Sequence, residues 1–325
     1  MTVAVTGASG HIGNNLCRAL INKGINVKAL VNKNDHSLNK LELIRVSGSI
    51  TNKQSLSNLF KDVDYVFHLA AIISIGKNSK ENIFKVNIEG TKNVIELCEQ
   101  YSIKKLIHFS SVHALEQNKQ SSKIDENTPL ANNKAFIYDQ SKAEAERLII
   151  EAVDRGLNAI ILNPTSVVGP DDYVPSLVGQ MILKLSSNKL PFIIKGGYNW
   201  VDVRDIIETA INALEKGRSG ERYLLSGEWK SLNEVAHFIT KEAGSKPPII
   251  IPLFLARIGL PFIKIYSWLS KKDPLYTNEA LSIVSQPSVQ IVNSKAKKEL
   301  GFRNRPAKES FIDAYNWFKQ NNYTN

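Results

Sequence analysis

Short, almost wholly apolar runs alternate with segments of helical period through the first half of the chain. Val3 to Thr6, Asn26 to Val31, Leu43 to Val46, Tyr65 to Leu69, Leu106 to Phe109 and Ala159 to Leu162 are rich in β-branched and aromatic residues. They are too short for helices and read as strands buried on both faces. Between them, the stretches near 12–23, 52–61, 81–101 and 140–155 carry apolar residues at helical spacing. The alternation predicts an α/β fold, a doubly wound parallel sheet with right-handed crossovers. In such a sheet a ligand lies beyond the carboxyl ends of the strands, so functional residues are expected just after each apolar run.

The pattern breaks after Asn163-Pro164. Gly169-Pro170-Asp171-Asp172, Leu190-Pro191 and Gly196-Gly197 punctuate apolar pieces that do not form regular strand-helix units. A smaller second lobe is therefore expected from 165–197 and 226–325, with 1–164 as the sheet domain and 198–225 returning to it. Ile249 to Leu269 is the most apolar stretch, but Pro252, Arg257, Pro261 and Lys264 interrupt it. It fails as a membrane span; a core or lid helix over the substrate crevice needs no extra partner, and a membrane-surface contact is the alternative.

With 325 residues, 43% of them hydrophobic, the chain has enough apolar material for a sizeable core, which excludes disorder. The net charge of +10 raises the question of a polyanionic partner. The lysines are scattered, with only pairs such as Lys104-Lys105, Lys271-Lys272 and Lys297-Lys298, and no basic run is interleaved with aromatics. Neither nucleic acid nor an anionic membrane is expected as a partner. Cys17 and Cys98 lack metal-ligand spacing and read as buried free thiols. No carboxylate or histidine cluster points to a metal. Met1 runs straight into Val3-Ala4-Val5 with no room for a signal segment, so a cytoplasmic location is expected.

Thr6-Gly7-Ala8-Ser9-Gly10-His11-Ile12-Gly13 joins the first strand to the first helix. Glycines at such a junction allow a tight turn, close approach of the backbone to a pyrophosphate, and close packing of helix on sheet. The helix N-terminus supplies unpaired amide donors to the phosphates. The spacing is GxxGxxG, which resembles the short-chain dehydrogenase/reductase family and its Rossmann fold. Asp64 to Ala71 resembles that family's fourth-strand motif lining the cofactor, and Val86-Asn87-Ile88-Glu89-Gly90-Thr91 its central-helix Asn motif. The resemblance implies a nicotinamide dinucleotide contacted by Gly7, Ser9, Gly10, His11, Ile12, Gly13, Leu69, Ala70 and Ala71. After the second strand comes Asn32-Lys33-Asn34, with no carboxylate before Asp35. An acidic residue there would bind the ribose hydroxyls of NAD. Its absence favours NADP over NAD, with Lys33 or Lys40 as phosphate partner and Asn32 among the cofactor contacts. Relatives usually carry Gly-Asp after the third strand; this chain has Gly48-Ser49-Ile50, so Ser49 and Ile50 would meet the adenine.

Tyr138-Asp139-Gln140-Ser141-Lys142 sets a phenol and an amine four residues apart, on one face of a helix. An unperturbed phenol, with a pKa of about 10, is a poor proton-transfer group near neutrality, and a nearby ammonium lowers it. Ser111 ends the Phe109-Ser110-Ser111 run after a strand. This is the short-chain family's catalytic arrangement. By that resemblance Tyr138 is the general acid/base, Lys142 holds the nicotinamide ribose and tunes Tyr138, and Ser111 orients the substrate oxygen. Asn87 supports the proton relay, and Ser110, Asn163, Pro164 and Thr165 contact the cofactor. His68 and His108 fall in strands and read as packed side chains, whereas His113, two residues past Ser111, is placed to face a substrate.

The length and second lobe resemble the extended, NAD-dependent epimerase/dehydratase branch. Leu162 to Tyr173, Asn199 to Asp205 and Ser294-Lys295-Ala296 resemble its dihydroflavonol 4-reductase-like group. Val112-His113 replaces the Asp-Glu pair of sugar-nucleotide dehydratases, which disfavours dehydration. The resemblance implies a carbonyl/alcohol oxidoreductase, with a sugar-nucleotide epimerase as the enzymatic alternative and a non-enzymatic NAD(P)-binding regulatory or nucleic-acid-associated protein as the other. It also implies a homodimer through the helices near 81–101 and 140–155. Phe192, Trp229, Phe254, Phe262 and Trp268 suggest a hydrophobic small-molecule carbonyl substrate.

Overall fold

A computed structural model describes the chain except for residues 33–34, 74–78, 118–122, 259, 261–280, 282–283, 285–288 and 325. Strands β1 (Thr2–Thr6), β2 (Asn26–Val31), β3 (Ile44–Ser47), β4 (Tyr65–His68), β5 (Lys105–Phe109), β7 (Ala159–Pro164) and β11 (Arg222–Leu225) form one seven-stranded sheet. The two-residue β6 (Lys123–Ile124) lies outside it. The spatial order is β11-β7-β5-β4-β1-β2-β3 with every pairing parallel. The order reverses between β1 and β4, the switch point at which a crevice opens beyond the strand ends.

The strand runs are continuously apolar because both faces are covered. Side chains alternate: Val3, Val5, Phe67, Ile107, Phe109, Ile160 and Leu162 enter one buried cluster, while Ala4, Val66, Leu106, Ala159 and Ile161 enter the opposite one. Helices α1 (His11–Asn22) and α7 (Val203–Lys216) cover the first face. Helices α2 (Lys53–Phe60), α4 (Gly90–Gln100) and α5 (Ile137–Asp154) cover the second. The helix expected over 81–101 is divided: α3 (Lys80–Phe84) and α4 are joined by a π-helical turn, Lys85–Glu89.

The remaining elements make small sheets and a separate core. Strands β8 (Ser166–Val168), β10 (Gly197–Asp202) and β12 (Glu228–Ser231) pair in the order β12-β10-β8, and β9 (Phe192–Ile194) pairs with β13 (Ile249–Ile251). Helices α6 (Leu177–Ser186), α8 (Leu232–Ala243) and α9 (Ala307–Gln320) pack Ile182, Leu185, Val235, Ile239, Phe311 and Phe318 around Trp200. The interval 198–225 is split by its pairings: β10 joins the small sheet, whereas β11 extends the large one and α7 covers it. Residues 253–258 are helical; Leu253 and Ala256 pack against this second core, whereas Phe254 and Ile258 are each 62% exposed. Phe192 and Trp229 are also exposed; Phe262 and Trp268 lie outside the described residues. Among the described residues no helix is long and apolar enough to cross a membrane.

Candidate functional site

The glycine turn leaves β1 through Gly7, whose φ of +70° suits a residue without a side chain. A Cβ there would lie 2.6 Å from the Ala70 nitrogen, and a Cβ on Gly13 would lie 2.1 Å from the Gly7 carbonyl oxygen. The two glycines bring α1 down onto the turn and the turn down onto the end of β4. Gly10 is the N-cap of α1 and makes no side-chain cap, which leaves the first amides of the helix without a capping side chain. Ser9 is fixed from outside, its carbonyl accepting from the Ser37 hydroxyl at 2.9 Å. His11 and Asn14 reach the loop after Gly169: His11 Nε2 meets the Pro170 carbonyl at 2.9 Å and Asn14 donates to that of Asp171 at 2.9 Å.

Across the switch point runs a buried polar chain. Thr6 Oγ1 lies 2.7 Å from His68 Nδ1, His68 Nε2 lies 3.0 Å from Thr91 Oγ1, and Thr91 donates to the Asn87 carbonyl at 2.7 Å. The Ala70 amide donates to Thr6 Oγ1. Burial holds His68 down at about 3, with the Lys142 charge adding to the effect, and pushes His108 well below the usual range for the same reasons. Both rings are therefore neutral packing groups, as expected from their strands. Cys17 and Cys98 are buried free thiols, the former pushed up to about 12 by burial.

Tyr138 stands half-buried in the first turn of α5, with Lys142 one turn further along. Lys142 is 4% exposed and its Nζ donates to the Phe109 carbonyl at 2.8 Å, which ties α5 to the end of β5. Burial pulls its pKa down to about 8, more than the Glu146 carboxylate raises it. Ser111 follows β5 and caps a short 3-10 turn, Val112–Ala114, its Oγ accepting from the His113 amide at 3.2 Å. That turn brings the His113 ring edge-on to Tyr138 at 6.4 Å between centroids. Asn87 sits in the π turn and closes a two-way bridge to Ile72, accepting from its amide at 2.7 Å and donating to its carbonyl at 3.0 Å. It also donates to Ser141 Oγ at 2.9 Å, and so ties the loop after β4 to α5.

Of the other expected contacts, Ser110 is 6% exposed and its Oγ has no hydrogen-bond partner. Asn163 is fully buried, its amide donating to the Ser111 carbonyl at 2.9 Å and to Glu146 at 2.5 Å; Pro164 ends β7 beside it. Thr165 donates to Asn199 at 3.0 Å. Ile50 is buried and Ser49 Oγ pairs with Thr51 Oγ1 at 2.9 Å. Asn32 is exposed at the end of β2, Lys40 is exposed, and Lys33 lies outside the described residues. Asp35, the first carboxylate after β2, is engaged by Arg45 at 3.3 Å. The sequence expectations did not include Glu146 and Arg222. Glu146 is fully buried, and Arg222 approaches it to 2.6 Å from β11, 76 positions away. Ser141 was within reach of the sequence, since it shares a turn with Tyr138 and Lys142.

The cradle formed by Gly7 and Gly13, the open helix N-terminus and the unpartnered Ser110 hydroxyl fit a pyrophosphate-bearing dinucleotide laid across the switch point. Solved structures agree on the fold. That of gox2253 superposes with a TM-score of 0.84 at 33% identity over 100% of this chain and 99% of that one. A UDP-glucose 4-epimerase of Thermotoga maritima superposes at 0.81 with 20% identity over 99% of each chain. In sequence, sterol demethylase protein B of Methylococcus capsulatus is 29% identical over 98% of this chain and 99% of its own length. A Synechocystis sp. protein named for dihydroflavonol 4-reductase is 29% identical over 98% and 95%. The family model described as NAD dependent epimerase/dehydratase family matches residues 3–226. Taken with the glycine cradle and the Ser111, Tyr138 and Lys142 set, that match establishes that the chain belongs to the NAD dependent epimerase/dehydratase family.

Proposed function

We propose that the chain is an NAD(P)-dependent oxidoreductase that interconverts a carbonyl and an alcohol on a predominantly apolar small molecule. The observation that carries this reading is the seating of Lys142: a buried amine anchored on the Phe109 carbonyl, one helical turn from Tyr138 and tied to the strand end that leads into Ser111. A bound nicotinamide supplies or accepts hydride; the protein's residues handle the proton. Ser111 Oγ orients the substrate oxygen. Tyr138 gives that oxygen a proton in reduction and takes it in oxidation, and the Lys142 ammonium favours the phenolate. Asn87, fixed to Ile72 and Ser141, supports the base of the relay. Residues 1–164, with α7 and β11 from the interval 198–225, carry the cofactor, and 165–197 with 226–325 carry the substrate.

NADP is the proposed cofactor, because the nearest carboxylate after β2, Asp35, is turned to Arg45 and away from the role of a ribose acceptor. Relatives with reductase and dehydrogenase names support the reaction class. They include a Stigmatella aurantiaca ketoreductase, 26% identical over 97% of this chain, and a Mus musculus sterol-4-alpha-carboxylate 3-dehydrogenase, 26% over 92%. A homodimer through α4 and α5 is part of the same proposal. The test is Tyr138→Phe assayed by nicotinamide absorbance on a panel of ketones and aldehydes. Turnover is expected to fall at least ~100-fold, in keeping with loss of a positioned acid/base group, with cofactor Kd within a factor of about three. Full activity in the variant removes the mechanism. Retained NAD with product formation but no net cofactor consumption replaces the reading by an epimerase.

A further inference from the structure

Two groups beside Tyr138 have no part in the proton steps above. Asp139, the next residue in the first turn of α5, is 4% exposed. Its Oδ1 lies 3.4 Å from Nδ1 of His113; both atoms are sealed from solvent and no hydrogen bond satisfies either. A small turn of the imidazole, with a slight shortening, aims Nδ1–H at the carboxylate oxygen. The His113 side chain keeps 24% exposure although its Nδ1 is covered, so the open edge of the ring is the one carrying Nε2. The backbone amide of the same residue donates to Ser111 Oγ, and its ring meets that of Tyr138 edge-on. A carboxylate in a first helical turn gains from the helix dipole, but an exposed one would gain as much. Helix stability therefore explains neither the burial of Asp139 nor the imidazole turned toward it, and a buried carboxylate without a partner is costly.

We propose that His113 is a substrate-contacting, specificity-determining residue and Asp139 the positioning residue that holds it. Asp139 accepts from Nδ1–H, which fixes the tautomer and leaves Nε2 as a hydrogen-bond acceptor on the crevice side. The hydroxyls of Ser111 and Tyr138 take the reacting oxygen. His113 stands one ring-width from Tyr138, within reach of a substituent on the neighbouring carbon. An acceptor there selects a hydroxyl donor, so the substrate class is an α-hydroxy ketone and the corresponding vicinal diol. This deepens the oxidoreductase reading and rests on it.

The experiment compares benzoin with deoxybenzoin, which lacks only the hydroxyl, using holoenzyme and reduced nicotinamide cofactor. The wild type is expected to favour benzoin in kcat/KM by roughly tenfold or more, as expected of a site built to bond a hydroxyl. His113→Phe is expected to level the two substrates and His113→Gln to keep part of the preference, with cofactor Kd unchanged in both. Equal use of the two ketones, or an undiminished preference in His113→Phe, overturns the assignment. So does failure on both probes by an enzyme that reduces other ketones. Nitrogen-15 imidazole spectra of the holoenzyme read the pair without any substrate, His113 being identified by the signal lost in His113→Gln. An Nδ1–H tautomer that shifts to Nε2–H in Asp139→Asn is expected; Nε2–H in the wild type refutes the positioning role. A wild type that binds cofactor and reduces no carbonyl at all counts against the oxidoreductase reading, and the spectra then decide the fate of the Asp139 pair on their own.

Discussion

Lys142 shows how a single residue sets the terms of the chemistry. The proposed mechanism places its amine beside Tyr138, and that position is one where burial opposes the charge. The folded-state pKa of about 8 lies below the ordinary 10.5. Between those values the unfolded chain holds a proton that the folded chain has released, so stability rises with pH across that window. At pH 7 the lysine is charged in both states and the folded protein carries the cost of burying it. Lys142→Met is therefore expected to be more stable than the wild type at pH 7, by urea midpoint without cofactor, and to lose that advantage progressively toward pH 10. Its turnover is expected to be near zero throughout. A stability difference that does not change with pH contradicts the burial cost. The tyrosine and lysine were legible because four-residue spacing is a local property; the Asp139 and His113 contact was not, because it joins two segments through the fold.

At the scale of elements, the first helix and its turn form one unit. Gly13→Ala places a methyl against the Gly7 carbonyl, so α1 must lift from the turn and the amide cradle opens. Cofactor affinity is expected to weaken at least ~10-fold by calorimetric titration, while α1 persists because alanine is the better helix former. Unchanged affinity refutes the cradle. Helix α5 has its own anchor in Glu146, which takes Arg222 from β11 and Asn163 from β7. Removing one partner of a buried pair leaves the other charge uncompensated, so Arg222→Met is expected to cost about 3 kcal/mol in denaturant unfolding. A loss below ~1 kcal/mol would show that the pair is solvated in solution. The helix over 81–101 was visible from its period, but its π turn was not. The turn holds Asn87, whose side chain is committed to Ile72 and Ser141, and tertiary partners rather than propensity decide that.

For the whole molecule, the large sheet and the elements that follow Pro164 are joined by specific links. Besides His11 and Asn14 on the loop after Gly169, Arg204 at the start of α7 holds the buried Asp202 and reaches Asp313 of α9 at 2.7 Å each. Asp205 is bonded to the Arg305 amide at 2.7 Å. A dinucleotide that binds only the folded state stabilises it by about 2.7 kcal/mol at one hundred times its Kd. NADPH is accordingly expected to raise Tm by several degrees when present at that excess, and NADH to do so only at far higher concentration. Equal shifts at equal concentration would remove the NADP preference proposed from Asn32 and Asp35.

The strand and helix alternation, the glycine cradle and the phenol-amine pair were determined by the sequence itself, since each depends on the period of one element or on spacing within one turn. The strand order, the capture of β11 by the large sheet and the small sheets after Pro164 were decided only by tertiary packing. So were the exposure of Phe192, Trp229 and Phe254 and the meetings of Glu146 with Arg222 and Asp139 with His113. The physical reason is the same throughout: backbone geometry is written over a few neighbouring residues, whereas burial and the pairing of buried charges depend on which distant segments close over one another.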